Sequence, residues 1–341
     1  MNIKFGFCLP IFAMPGSRFF RTPSSPSLQP SLTFSSGLLA EELGFDSLWI
    51  ADHLMLGQDD AILEGWTTLC TLAGATESVQ LGLIHQANLF RNPALAAKMM
   101  ATLDQLSNGR FIFFADPGSA AAEHQAYGLP WIENQSERIK RFEESLSIIL
   151  HLWQNDKPYS TSGTYYTVHE ANCNPKPLQS PHPPIWIGSA SEEMHHLCAK
   201  YAQGWNTTPI SLKDLIKRQS ELKIICEKQD RNVTDLERSL EIQILIGRDL
   251  DDLRKKILHI ISLDSKLIPI DEFLQAFLSS QTDEIPPEMK NSWLVGTPKM
   301  IGDQIIAYSE AGISHFMLWF VDWPNEEGLR LFSEKVVSKF K

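Results

Sequence analysis

The sequence predicts an α/β protein folded as one closed (β/α)8 barrel, a TIM barrel with loop and helical insertions. Apolar runs of strand length alternate with longer segments of helical period, the pattern of βαβ units around a parallel sheet. The alternation occurs eight times, with strand starts at Ile3, Phe45, Val79, Phe111, Pro184, Gly204, Leu240 and Ile313. No GxGxxG follows any of these runs, so an open dinucleotide-binding sheet fits less well. A barrel of this type needs ~250 residues. The surplus in a 341-residue chain falls into insertions at about 12–30, 155–183 and 249–295 of a single domain covering 1–341.

The first strand is Ile3 to Ile11; Lys4 followed by FGFCLPIFAM superficially resembles a secretory leader, but Pro10 interrupts the apolar stretch, and a buried strand accounts for the same residues. In SLTFSSGLLAEELGF, residues Leu32, Leu38, Leu39 and Leu43 share a helical face, and Gly44 supplies a left-handed stop. DSLWIADHL is the second strand, a helix over Thr67 to Thr76 follows, and VQLGLIHQANL is the third strand. The next helix begins at the proline of NPALAAKMM and closes on Asn108-Gly109 before the strand FIFFA. Ser136 to Gln154 is amphipathic, with Ile139, Phe142, Leu146, Ile149 and Trp153 on one stripe. A short strand over Gly163 to Val168 and a proline-rich surface connection, NCNPKPLQSPHPP, lead to PIWIG. Helices Glu192 to Ala202 and Leu212 to Gln229 alternate with strands Gly204 to Thr207 and Leu240 to Ile246. A polar helical stretch from Asp249 to Met289 precedes helix Pro298 to Ala311, strand Ile313 to Val321 and a terminal helix Glu326 to Phe340.

Composition narrows the function. Hydrophobic residues make up 43% and charged residues 21%, which suits neither a disordered chain nor a membrane protein, and no apolar run reaches the ~20 residues of a spanning helix. With 41 acids against 30 bases the net charge is −11, a field that opposes nucleic-acid and anionic-membrane partners. Cys8, Cys70, Cys173, Cys198 and Cys226 form no CxxC pair, so reduced thiols, a cytoplasmic location and no bound metal are expected.

In such barrels chemistry sits at the C-terminal strand ends. There the sequence places Asp52-His53, His85-Gln86-Ala87-Asn88, Asp116-Pro117-Gly118-Ser119 and Gly188-Ser189-Ala190-Ser191-Glu192. A histidine beside an aspartate suits general acid–base work, although a loop-capping histidine reads the same way. Gly188 to Ser191 opens a helix, where converging backbone N–H groups and hydroxyls suit a phosphate; a plain serine N-cap is the alternative. The loop Pro10 to Ser31 carries five prolines, Arg18, Arg21 and no acid, which reads as a lid delivering cations to an anionic ligand or as a solvated loop. Phe19, Phe20, Trp66 and Trp205 are candidates for apolar lining.

The ordered series GLLAEELGFDSLWIADHL, LGLIHQANLFRNPALAAKMMATLDQLSNGRFIFF, EHQAYG, ERIKRFEESLSIILHLW, PKPLQSPHPPIWIGSASEE, YAQGWN and VGTPKMIGDQIIAYSEAGISHFMLW resembles the bacterial luciferase-like monooxygenase family over nearly the whole chain. The resemblance implies a (β/α)8 barrel that uses reduced FMN with dioxygen, or a deazaflavin coenzyme for hydride transfer. It implies that His53, with Asp52, is the acid–base motif and that Ile84 and His85 form a cis peptide supporting the ring. It further implies that Gly118 approaches the cofactor and that Gly188, Ser189, Ala190 and Ser191 hold its phosphate. Asp116 and Pro117 depart from the luciferase pattern of cysteine and arginine, and Ile242 to Ile244 lacks the arginine and histidine of alkanesulfonate monooxygenases.

The leading expectation is an FMNH2-dependent monooxygenase of a two-component system, served by a separate NAD(P)H:flavin reductase. It would insert one oxygen atom from O2 into a small organic substrate through a peroxyflavin. Arg18, Phe19, Phe20, Arg21 and Trp66 would serve as substrate or lid residues. The alternatives are a deazaflavin-dependent hydride-transfer oxidoreductase, whose acidic coenzyme would call on Arg18, Arg21 and Arg91, and a non-catalytic flavin-binding subunit. The resemblance also implies a homodimer paired through helices beside strands two and three.

Overall fold

The computed structural model describes residues 3–15, 24–188, 191–208, 210–263 and 271–340. Eight parallel strands pair in chain order: β1 (Lys4–Cys8), β2 (Ser47–Ala51), β3 (Gln80–Ile84), β4 (Phe111–Asp116), β5 (Ile185–Gly188), β6 (Gly204–Thr207), β7 (Glu237–Ile246) and β8 (His315–Phe320). The ring closes where β8 returns to β1, with Lys4 opposite His315 and Phe7 opposite Leu318. Each strand is followed by a helix on the outside: α1 (Pro30–Glu42), α2 (Gly65–Ala73), α3 (Pro93–Leu106), α4 (Gln135–Gln154), α5 (Glu192–Tyr201), α6 (Leu212–Lys228), α7 (Pro298–Glu310) and α8 (Glu327–Lys335). Helix ends follow local chemistry. The Asn92 side chain accepts from the Ala94 N–H at the start of α3, Pro93 fills the first turn, and Asn108 and Gly109 take positive φ beyond the end.

The amphipathic stripe of α4 is buried as expected, from Ile139 to Trp153. The face of α1 is not the one expected: its buried residues are Thr33, Ser36, Gly37, Leu39 and Ala40, whereas Leu32, Leu38 and Leu43 are half-exposed. Close approach selects the small residues. A Cβ on Gly37 would lie 2.7 Å from Leu72 Cδ2 of α2, and the Thr33 hydroxyl donates to the Pro10 carbonyl at 2.7 Å.

Inside the barrel, tryptophans fill the space that glycines leave. Trp49 and Trp186 lie 5.1 Å apart between ring centroids. A Cβ on Gly82 would sit 2.3 Å from Trp49, and one on Gly204 2.4 Å from Trp186. Beneath them His315, fully buried, bridges Glu237 Oε1 at 2.9 Å and Ser47 Oγ at 2.8 Å, and the Trp49 indole N–H donates to the same hydroxyl.

The insertion before α7 contains helices Leu250–Leu263, Glu272–Leu278 and Pro287–Ser292 and a strand not foreseen in the sequence, Trp293–Gly296, paired with the second half of β7. It has its own apolar core around Leu253, Ile257, Leu274 and Phe277. Lys256 fastens it to the barrel rim by donating to Asp322 Oδ2 at 2.7 Å and to the Ile246 carbonyl at 2.9 Å. Between α4 and β5 the chain forms a two-stranded hairpin, Tyr159–Ser162 with Thr167–Ala171, where one short strand was expected. No helix among the described residues is long and apolar enough to cross a membrane.

Candidate active site

The strand ends converge on a cavity of about 530 Å3 lined by His85, Asp116, Gly118, Gly188, Ser191, Asn206 and two arginines, Arg138 and Arg218, among others. His85 arrives through a cis Ile84–His85 peptide bond at the end of β3, as the resemblance implied. Its ring stands edge-on to Phe114, with centroids 4.3 Å apart. Ile84 is buried. Gly118 has φ +98°, a conformation L side chains rarely adopt, and its N–H donates to Asp116 Oδ1 at 2.6 Å. Asp116-Pro117-Gly118 is thus a tight turn against the cavity.

Gly188 ends β5, and Ser191 caps α5 by accepting from the Met194 N–H at 3.3 Å, which leaves the positive end of the helix dipole toward the cavity. Arg138 of α4 donates to the carbonyls of Gly118, Ile132 and Glu133 and stacks on Trp131 at 4.4 Å. Arg218 of α6 donates to Thr207 Oγ1 at 3.1 Å. Two fixed guanidinium groups and a helix N-terminus therefore face one cavity in a chain of net charge −11.

At the adjoining rim, His53 Nδ1 lies 2.7 Å from Glu123 Oε1, and the other oxygen of Glu123 accepts the Leu54 N–H at 2.6 Å. Burial opposes a charged imidazole here, but the Glu123 hydrogen bond and the charges of Glu123, Asp52 and Asp116 outweigh it and raise the His53 pKa. Burial likewise pushes the Glu123 carboxyl up, and its bonds from His53 and the Leu54 N–H overcome that and lower it. The carboxylate that orients His53 is consequently Glu123, not its chain neighbour Asp52.

Asp52 points the other way. It is 2% exposed and makes a two-pronged ion pair with Arg91, Nη1 to Oδ2 at 2.6 Å and Nη2 to Oδ1 at 2.9 Å, while Oδ2 also accepts the Ala87 N–H. This geometry pins the loop after His85 and gives Asp52 hydrogen-bond partners other than His53, on which it acts through its charge. Arg91 also pairs with Glu64 at 3.1 Å.

Trp66 does not line the mouth. It is 4% exposed, packs on Phe111 at 5.8 Å and borders an apolar groove of about 750 Å3 between α2 and α3. Trp205 is fully buried in the core. Arg18, Phe19, Phe20, Arg21, Ser189 and Ala190 lie outside the described residues.

Glu123, Arg138 and Arg218 escaped the sequence reading. Glu123 opens the quoted EHQAYG segment, but a carboxylate 70 residues from His53 has no local spacing signal. Arg138 lies one residue before the apolar stripe of α4, and nothing in that helical period marks it as facing a cavity.

A model of the luciferase-like monooxygenase family matches residues 21–315. The chain belongs to that family. Among curated relatives of the family, an F420-dependent glucose-6-phosphate dehydrogenase from Amycolatopsis mediterranei is 28% identical over 314 residues, 89% of this chain and 92% of the relative. An FMNH(2)-dependent dimethylsulfone monooxygenase from Pseudomonas putida is 26% identical over 255 residues, 69% of this chain and 68% of the relative. The solved structure of an EDTA monooxygenase from Chelativorans sp. BNC1 superposes with a TM-score of 0.80 at 16% identity, covering 100% of this chain and 94% of that one, which shows the shared barrel. This luciferase-like chain is thus an oxidoreductase of the flavin and deazaflavin kind, with both F420-dependent dehydrogenases and FMNH2-dependent monooxygenases among its relatives.

The residues present fit such a cofactor. Asn206 Oδ1, on the cavity wall, is buried with no hydrogen-bond partner among the described residues, as are Gln86 Oε1 and Gln243 Nε2. An unpartnered buried oxygen on a cavity wall, as at Asn206, is free to bond a polar ligand atom.

Proposed function

We propose that the protein is an FMNH2-dependent monooxygenase of a two-component system, acting on a small organic substrate. The observation that carries this reading is the pairing of Arg138 and Arg218 with the N-terminus of α5 around one cavity, a compact cationic cradle suited to a terminal phosphate dianion. Gly188, Ser189, Ala190 and Ser191 would hold that phosphate, and Gly118 and the Ile84–His85 turn would flank the ring. Bound FMNH2 would supply two electrons for splitting dioxygen, one oxygen atom going to the substrate and the other to water. The chain's own part is to exclude bulk water and to manage protons. Glu123 holds His53 at Nδ1 and favours the imidazolium, so Nε2 is the position from which a proton passes to the oxygen that leaves as water.

A separate NAD(P)H:flavin reductase would deliver FMNH2. The five cysteines form no disulfide and all but Cys70 are buried, which supports a reducing, cytoplasmic setting. A second copy of the chain is the occupant we propose for the α2–α3 groove, whose rim carries Leu106 at 80% exposure. Light scattering would report a dimer, and Leu106→Glu would shift it to monomer; a monomeric wild-type protein refutes the pairing.

The second reading is deazaflavin-dependent hydride transfer, favoured by the F420-dependent relative that matches 89% of the chain. Anaerobic titration with FMNH2 and, in parallel, with reduced deazaflavin decides between them. Tight, selective FMNH2 binding that Arg138→Met and Arg218→Met weaken supports the monooxygenase, whereas selective deazaflavin binding overturns it.

A further inference from the structure

His85 and Glu241 form a second histidine–carboxylate contact, separate from His53 and Glu123. Glu241 is on β7 inside the barrel, 3% exposed. One of its oxygens accepts the Trp319 indole N–H at 2.9 Å, and the other lies 3.8 Å from His85 Nε2. The His85 side chain is 24% exposed, lines the cavity and lies against the β5 turn, where a Cβ on Gly188 would be 3.6 Å from Nε2. Phe114 fixes the imidazole edge-on. The cavity thus has a titratable ring beside the position proposed for the cofactor ring, backed by a carboxylate that water does not reach.

We infer that His85, in its protonated form against Glu241, is a cationic floor that makes the protein prefer the reduced, anionic form of its redox ring over the oxidised, neutral form. Glu241 is a positioning residue that acts through His85. The inference rests on the flavin-type reading above.

The chemistry balances without further reagents. An oxidised flavin takes two electrons from the proposed reductase and one proton from solvent, and the product carries one negative charge spread toward N1 and the neighbouring carbonyl. A cation close to that edge lowers the energy of the reduced form and leaves the neutral form nearly unaffected. Among the described residues, the other charged groups on the cavity wall are Asp116 from β4, Arg138 from α4 and Arg218 from α6; the arginines are the cations we assign to the phosphate, and Asp52 is paired with Arg91. Among the described residues, His85 is therefore the side chain placed to answer a change of charge on the ring.

The test compares affinities for oxidised FMN and for anaerobically reduced FMN, with oxidised and reduced deazaflavin in parallel, in the wild type, His85→Leu, His85→Gln and Glu241→Gln. The wild type is expected to bind the reduced form of its cofactor at least ~10-fold more tightly than the oxidised form, a preference equivalent to raising the two-electron potential by about 30 mV. Both His85 variants should lose that ratio, mainly by weakening the reduced complex, and Glu241→Gln should lose part of it. Circular dichroism identifies any variant that fails to fold, and the second His85 variant then carries the comparison. Equal weakening of both redox forms would assign His85 to packing and overturn the inference, as would an unchanged ratio. A wild type that binds neither cofactor overturns the flavin-type reading and the inference together, whereas normal binding with an unchanged ratio overturns the inference alone.

Discussion

Replacing Arg91 with methionine tests whether Asp52 is a structural anchor. The Arg91 side chain is 13% exposed and that of Asp52 is 1% exposed, and the two share hydrogen bonds of 2.6 and 2.9 Å. Methionine keeps most of the volume and removes the charge, leaving a buried carboxylate with the Ala87 N–H at 3.0 Å in place of a counter-ion. Breaking one side of a buried pair costs about 3–5 kcal/mol because an uncompensated charge stays behind. Against a total stability of roughly 5–15 kcal/mol, that is a large share. Asp52→Asn in the same background removes the stranded charge, so Asp52→Asn/Arg91→Met should be substantially more stable than Arg91→Met alone. Urea denaturation followed by tryptophan fluorescence gives the free energies, and a double-mutant cycle gives the coupling. A loss below about 1 kcal/mol for Arg91→Met, or no recovery in the double variant, would refute the anchoring role.

Three further outcomes are expected. Glu123→Gln should lower the pKa of His53, read by histidine NMR; since the folded-state value is raised above 6.5, the pair stabilises the fold fully below that pH and the contribution is lost as pH rises through the folded value. An unchanged titration would show that Glu123 does not control the ring. Burial works against the Glu237 carboxylate, but its bonds to His315 and Lys4 lower its pKa from 4.5 to about 2, so its contribution is full above 4.5 and disappears as pH falls through about 2; Glu237→Gln should flatten acid unfolding over that window. Gly82→Ala should overpack the barrel centre at a cost of about 1–3 kcal/mol in urea denaturation. Trp49→Phe in the same chain should recover part of that cost, because the close contact is to the six-membered ring atoms Cζ3 and Cε3 of Trp49; additive losses would place the strain elsewhere.

The barrel was legible because each strand and helix has its own periodic signal. The predicted strand starts at Phe111 and Gly204 coincide with β4 and β6, and the others fall within three residues. The strand Trp293–Gly296 was missed, since a four-residue apolar run next to a helix start has no distinguishing period. The leucine face assigned to α1 failed for a different reason: hydrophobicity ranks leucine first, but the approach of α2 selects the residues that leave room for Leu72.

By itself, the sequence determined the alternation of elements and the family, because both are written in local pattern and ordered motifs. Tertiary structure alone decided which charges meet. Asp52 and Glu123 are both acids available to His53, one adjacent in the chain and the other 70 residues away, yet barrel closure turns Asp52 to Arg91 and brings Glu123 to the imidazole. Likewise Arg138 and Arg218 on α4 and α6 reach one cavity, and Glu241 lies behind His85, only when strands far apart in the chain become neighbours. Side-chain chemistry is fixed by residue type, but partners are chosen by the curvature of the closed sheet, and no local spacing encodes that choice.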